Sequence, residues 1–139
     1  MKSVLILLIS FSTLLLAVDS QWEKLILEKI LSSMSSKKVV AVYTSEQSLL
    51  KRLEGIRSIR LVDDCQSADF VFSQERKVSY CSKPEIVFNY GVYRKKPTAV
   101  GVFFWQKGRP TIRFSSKRLE HYGLRVQGEL SKFVSAKNY

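Results

Sequence analysis

The hydrophobic pattern of the chain begins with an apolar N-terminal segment that carries a positive charge at its tip. Lys2 precedes the aliphatic run Val4–Ile9, and small residues follow further on at Ala17 and Ser20. A charged tip, an apolar core and a small-residue cleavage site are typical of a secretory signal peptide. The core is shorter than the ~20 mainly apolar residues of a membrane span. We therefore predict a signal peptide at residues 1–20, cleaved near Ala17 or Ser20, with an uncleaved anchor helix as the alternative.

After residue 20 the spacing of apolar residues predicts both helices and strands. Apolar residues between Gln21 and Met34 recur every three or four positions, with Trp22 and Leu25 on the expected buried face of a helix. Runs of β-branched and aromatic residues predict strands at Val39–Tyr43, Ile59–Val62, Asp69–Ser73, Glu85–Phe88, Ala99–Trp105 and Thr111–Phe114. Thr44-x-x-Gln47 matches a capping box at the start of a second helix.

The order of these elements predicts one α/β domain over residues 21–139. A strand, a helix and a strand in succession over residues 39–62 indicate a parallel crossover unit. Residues 89–96 fit a turn or a short helix that Pro97 ends. The expected architecture is a mixed central sheet flanked by helices, with a C-terminal β-hairpin followed by short helices.

The C-terminal half carries the predicted hairpin. The strand Ala99–Trp105 has apolar side chains on both faces, as a covered central strand requires. Simple alternation places Val100, Val102 and Phe104 on one face and Phe103 on the other. A glycine-bearing turn leads to the second strand of the hairpin. Ser115 or Ser116 is expected to cap a short helix, and a last helix is marked by Leu130, Phe133 and Val134.

Basic residues are concentrated in one segment of the sequence. The net charge is +11, and residues 94–125 contain nine Lys or Arg side chains against Glu120 alone. A positively charged surface attracts acidic protein surfaces, anionic lipid or nucleic acid. Because an exported protein rarely meets nucleic acid, we expect a protein partner or the membrane surface instead, and a solvated face without a partner is the alternative. The expected contact residues, for a partner or an anion, are Arg109, Arg113, Lys117, Arg118 and Arg125.

Cys65 and Cys81 are the only cysteines and lie 16 positions apart. In an oxidising compartment such a pair favours a disulfide, and two free thiols are the alternative. A closed loop of this length contributes roughly 3 kcal/mol to stability on the chain-entropy model. We expect the bridge to hold this loop under the edge of the sheet.

Motifs for catalysis are absent from the sequence. His121 is the only histidine, and no glycine-rich phosphate-binding loop is present. A third metal ligand near the two cysteines is also missing. We therefore predict a protein that is not an enzyme and that uses no metal and no cofactor.

Several segments in the second half of the chain together resemble one protein family. They are Cys65–Ser73, Glu85–Phe88, Ala99–Phe104, Ile112–Phe114, Gly123–Val126 and a helix from Glu129. In this order they resemble the YfiR-like family of small periplasmic regulatory proteins, over residues 21–134. The resemblance implies a periplasmic regulator without catalytic activity. Members of that family bind the periplasmic part of an inner-membrane diguanylate cyclase and hold it inactive in response to disulfide state.

Three functional hypotheses follow from these patterns. The first is a periplasmic binding protein that controls an inner-membrane signalling protein, either a sensor or a diguanylate cyclase. The second is a periplasmic module that binds a small anion or ligand with basic side chains and with backbone donors at a helix start near Thr44. The third is a hydrolase, which would need His121 as its base. The sequence leaves a homodimer open.

Overall fold

The structure, a computed structural model, describes residues 21–75 and 81–137. The predicted signal peptide lies outside the described residues. Helix α1 covers residues 21–34, as the sequence predicted. It is followed by α2 (Gln47–Leu53), α3 (Tyr90–Lys95) and α4 (Ser116–His121), and by 3-10 helices at Cys65–Ser67 and Gly128–Phe133. The strands are β1 (Val40–Tyr43), β2 (Ile59–Leu61), β3 (Phe70–Ser73), β4 (Glu85–Val87), β5 (Ala99–Gln106), β6 (Arg109–Ser115) and β7 (Val134–Ser135).

These strands form one mixed sheet in the order β2-β1-β3-β4-β5-β6-β7. The first five are parallel to one another, whereas β6 runs antiparallel to β5 and β7 parallel to β6. Strands β1 and β2, joined through α2, form the predicted parallel crossover unit. The α/β fold class with a mixed central sheet and a C-terminal hairpin is therefore confirmed.

Helices cover both faces of the sheet. On one face Leu27 of α1 and Leu49 of α2 belong to the main core, together with Phe72 from the sheet. On the other face Val92 and Tyr93 of α3 pack in a second core with residues from β4 and β5. The sheet is thus buried on both sides, which is the usual environment of parallel strands.

The buried face of α1 is narrower than expected. Trp22 and Leu25 are 59% and 53% exposed, whereas Leu27, Ile30 and Leu31 are fully buried. At 100° per residue Trp22 and Leu25 lie on the side of α1 that turns away from this buried stripe. Apolar residues of α1 itself point to several sides of the helix, so their spacing alone does not show which side contacts the sheet.

The faces of β5 also differ from the simple alternation. Val100 and Phe103 both contribute to the main core, whereas Val102 faces the second core. The cause is a β-bulge, because Glu85 pairs with Ala99 while the next residue, Ile86, pairs with Gly101. The extra residue reverses the alternation from that point onward.

The expected last helix is present as a 3-10 helix at Gly128–Phe133, and the chain then forms the short strand β7. Gly128 has φ +75°, a backbone conformation outside the α-helical region. Val134 of β7 pairs with Phe114 of β6. Phe133 is 37% exposed and lies outside the core. Pairing with the edge of β6 therefore determines the conformation of this segment.

Candidate functional site

The five expected contact residues lie in two different regions. Arg109 and Arg113 are exposed on β6 and share one face of the sheet, since they are four positions apart on a strand. Lys117 and Arg118 lie on α4, and Arg125 is exposed in the segment that follows it. The structure therefore divides them between the hairpin and the α4 region.

The hairpin carries an exposed basic surface on the side of α3. Arg113 pairs with Val102 of the second core, and its guanidinium lies 5.8 Å from the centre of the Tyr90 ring. Tyr90 in turn packs on Phe104 with ring centroids 5.4 Å apart. Arg94, four residues after Tyr90, is one helical turn away and exposed. We call Arg94, Arg109 and Arg113, with the aromatic pair between them, the hairpin surface.

The hairpin surface is positively charged, and no described carboxylate pairs with its arginines. Within residues 21–75 and 81–137, none of its three arginines forms an ion pair. The half-buried rings of Tyr90 and Phe104 add apolar area between the charges. Such a surface suits an acidic partner that also offers apolar contact.

The side chain of Arg118 is half-buried, and its guanidinium is held by main-chain carbonyls. Its Nη1 donates to the carbonyls of Tyr93 and Ala99, and its Nη2 donates to the carbonyl of Arg94 at 3.2 Å. Burial lowers the pKa of this guanidinium, and the nearby Tyr93 acts in the opposite direction. Arg118 therefore joins the end of α3 to the start of β5, satisfying carbonyls that the helix leaves open.

A pocket of about 370 Å³ lies beside Arg118. Its polar lining comes from Thr98, Ser115, Lys117, Arg118, His121 and Tyr122, and Pro97 adds an apolar wall. We call this the α4 pocket. Thr98 and Tyr122 had not been identified as site residues, because no local sequence signal marks residues brought together by the β5–β6 pairing.

Lys96 was counted among the basic residues of the surface, but the structure buries it. Its Nζ lies 2.7 Å from Glu85 Oε2, and the two side chains are only 7% and 0% exposed. Ser73 donates to Glu85 Oε2 at 3.0 Å, and Thr98 donates to Glu85 Oε1 at 2.9 Å. Both carboxylate oxygens are thus satisfied, and the charge of Lys96 is cancelled inside the protein.

Cys65 and Cys81 lie at disulfide-bonding distance, with Cα atoms 6.2 Å apart. They join the connection between β2 and β3 to the connection between β3 and β4. The sequence analysis expected the bridge under an edge of the sheet. Because β3 has β1 and β4 as neighbours, the bridge lies beside the middle of the sheet instead.

The start of α2 differs from the expected capping box. The N-cap residue is Glu46, without a side-chain cap, and Thr44 Oγ1 accepts from the Glu46 N–H at 3.2 Å. Glu46 Oε2 accepts from the N–H of Gln74 at 2.7 Å. A carboxylate at this position repels anions, which disfavours the expected anion contact near Thr44.

No helix within the two described ranges has the length and apolar character to span a bilayer. In the same ranges, no three or more His, Cys, Asp or Glu side chains are grouped so that they could hold a metal ion. Comparison with family models, curated proteins and solved structures gave no significant match. The resemblance to the YfiR-like family therefore stays a prediction from the sequence.

Proposed function

We propose that this protein is a periplasmic regulatory binding protein without catalytic activity, which controls an inner-membrane signalling protein such as a diguanylate cyclase. The observation that carries the proposal is the hairpin surface, which is exposed, positive and free of ion pairs within the described residues. The predicted signal peptide and the YfiR-like resemblance support the location and the type of partner.

The composition of the hairpin surface fits a protein interface. The interface positions that contribute most to protein binding are enriched in arginine and tyrosine. Arg113 beside Tyr90 provides both in one place. Charges of one sign accelerate association with an acidic partner and disfavour partners of like charge. The partner surface is therefore expected to be acidic with an apolar centre.

The cysteine pair gives the proposed interface a route for redox control. Among the described residues of the connection between β3 and β4, Cys81 lies at bonding distance from Cys65, and the Glu75 carbonyl accepts from Lys96 Nζ at 3.5 Å. Lys96 directly follows α3, the helix that carries Tyr90 and Arg94. Reduction removes one of these two contacts, so the position of α3 is expected to respond to it.

Affinity capture from native envelope extract tests the proposal. The tagged protein is used with and without reductant, beside the Arg109→Glu/Arg113→Glu variant. The control is Lys51→Glu, an exposed residue of α2 on the opposite face of the sheet. We expect one dominant inner-membrane signalling protein with wild type and control, lost from the double variant and changed by reductant. Capture of no such protein, or equal capture by all variants, would contradict the proposal.

The membrane surface is the competing explanation for the same charge. Anionic headgroups attract basic residues without any specific apolar contact. Vesicles that contain phosphatidylglycerol are therefore added to the same comparison. Strong binding of wild type to these vesicles, together with no protein capture, would assign the hairpin surface to the membrane instead.

A further inference from the structure

The α4 pocket has the size of a small-molecule site and lies apart from the hairpin arginines. Its volume of about 370 Å³ falls within the range of roughly 300–1,000 Å³ that is typical of ligand pockets. Arg109 and Arg113 do not line it. A ligand in this pocket would therefore be a property of the protein beyond the proposed partner interface.

The charge of the α4 pocket is positive and has no counter-ion among the described residues. Lys117 and His121 are four residues apart on α4, so they lie on the same side of the helix. The guanidinium of Arg118 donates to main-chain carbonyls and lies 5.0 Å from the centre of the Tyr93 ring, and these contacts orient it but do not cancel its charge. Glu85, whose charge acts on Tyr122 of the pocket, is already paired with Lys96. A half-buried cation of this kind favours an anion beside it.

Hydroxyl groups of the pocket add neutral donors. Ser115 accepts the N–H of Arg118, so its own proton remains available for donation. Burial, and to a smaller extent the charge of Glu85, raises the pKa of Tyr122, so its hydroxyl keeps its proton. Among the described residues, no carboxylate lines the pocket to compete for these donors.

We propose that the α4 pocket binds a phosphoryl group, held by Lys117, Arg118 and His121. A phosphoryl group offers several acceptor oxygens, which suits separate cationic and hydroxyl donors better than a single carboxylate does. The volume leaves room for a small organic part of the ligand against Pro97 and the Tyr122 ring. A soluble phosphate ester and a phospholipid headgroup share this chemistry, and both are tested below.

Calorimetric titration of the purified protein with inorganic phosphate and with glycerol phosphate tests the site. We expect saturable one-site binding of glycerol phosphate, competition by inorganic phosphate and no binding of glycerol. Arg118→Ala would also release the end of α3, so the informative variant is Lys117→Ala/His121→Ala, in which both residues are exposed. Affinity should fall by about tenfold or more, whereas the control Lys51→Ala, at an exposed residue of α2, should leave it unchanged.

Two results of this titration would overturn the proposal. One is the absence of saturable binding of either phosphate compound below about 10 mM. The other is an equal loss of affinity in the Lys51→Ala control, because it would show diffuse attraction to the positive charge of the whole protein.

Vesicles with and without phosphatidylglycerol distinguish the two sources of the phosphoryl group. Binding to the anionic vesicles that needs Lys117 and His121 and that glycerol phosphate displaces would assign the site to the lipid headgroup. Glycerol phosphate binding without vesicle binding would assign it to a soluble ester. Vesicle binding that glycerol phosphate does not displace, together with no saturable binding of glycerol phosphate in solution, would contradict a phosphoryl site in the pocket.

Discussion

The ammonium of Lys96 and the carboxylate of Glu85 form an ion pair of 2.7 Å in the interior of the protein. The pair connects the residue after α3 to the first residue of β4, and Ser73 extends the contact to β3. A buried pair of this kind contributes less to stability than its Coulomb energy suggests, yet removal of one partner leaves an uncompensated buried charge. The pair thus holds α3, and with it the hairpin surface, against the centre of the sheet.

Replacing Lys96 is expected to destabilise the protein strongly. Lys96→Met leaves the Glu85 carboxylate buried without a counter-charge, which costs about 3–5 kcal/mol of unfolding free energy. The neighbouring exposed Lys95 offers a matched control, since Lys95→Met should stay within about 0.5 kcal/mol. Urea unfolding of both variants measures the difference. Equal stability of the two would show that the buried pair does not hold the fold.

Gly101 is expected to tolerate no side chain. An added Cβ would lie 2.9 Å from Phe114 Cδ1 and 3.1 Å from Ile86 Cδ1, both inside the main core. Gly101→Ala should therefore lower the unfolding free energy by about 1–3 kcal/mol through overpacking. A second substitution, Phe114→Leu, should cost less in this background than in wild type, because it relieves the contact. Additive losses in the double variant would argue against the close approach of Gly101 and Phe114.

Asp69 is expected to make stability depend on pH in the acid range. Burial raises the pKa of Asp69, but hydrogen bonds from Lys37 at 2.7 Å and from the Ala41 N–H at 2.9 Å, with the charge of Lys37, lower it below its ordinary value of 3.8. A lowered folded-state pKa gives stability that is present above pH 3.8 and is lost as the pH falls through the folded value.

The variant Asp69→Asn tests this dependence. At neutral pH it should lose about 1.5–3 kcal/mol of unfolding free energy, the usual value of hydrogen bonds to a charged group. The loss relative to wild type should shrink as the pH falls below 3.8. Asp63→Asn, which makes the same charge change at an exposed site, is the control. A loss that stays constant down to the acid-unfolding range would contradict the assignment.

The cysteine pair is expected to stabilise the oxidised protein. Reduction, or the double variant Cys65→Ser/Cys81→Ser, should lower the unfolding free energy by roughly 3 kcal/mol on the chain-entropy model. Denaturant unfolding with and without reductant measures this effect. The double variant also serves as the control, because reductant should no longer change its unfolding free energy. Alkylation of both thiols in the protein as purified would show that the bond is not formed.

The local elements of the fold could be predicted from the sequence. Helix α1, the crossover through α2 and the β5–β6 hairpin follow from apolar spacing and turn residues over short stretches. Ser115 was expected as a helix cap, and its side chain accepts the Arg118 N–H at 3.4 Å. These features depend on residues close together in the chain, so a single sequence carries their signal.

Features that depend on distant pairing could not be predicted. The bulge at Val100 depends on the register with β4. The burial of Lys96, which follows α3, depends on the carboxylate of Glu85, 11 positions earlier on β4. Arg118 was assigned to the basic face because of its charge, and no local sequence signal indicated that carbonyls of α3 and β5 would hold its guanidinium. The site residues were therefore predicted by charge alone, and the structure separates them by their contacts.

The rate of association with the captured signalling protein tests the central claim most directly. The extracytoplasmic part of that partner is mixed with the oxidised protein at low and at physiological salt. We predict a rate constant that falls with salt and that falls by about tenfold in Arg109→Glu/Arg113→Glu, since opposite charges steer association. Lys51→Glu should match wild type. A rate that is the same for all three proteins would contradict the hairpin surface as the site of partner binding.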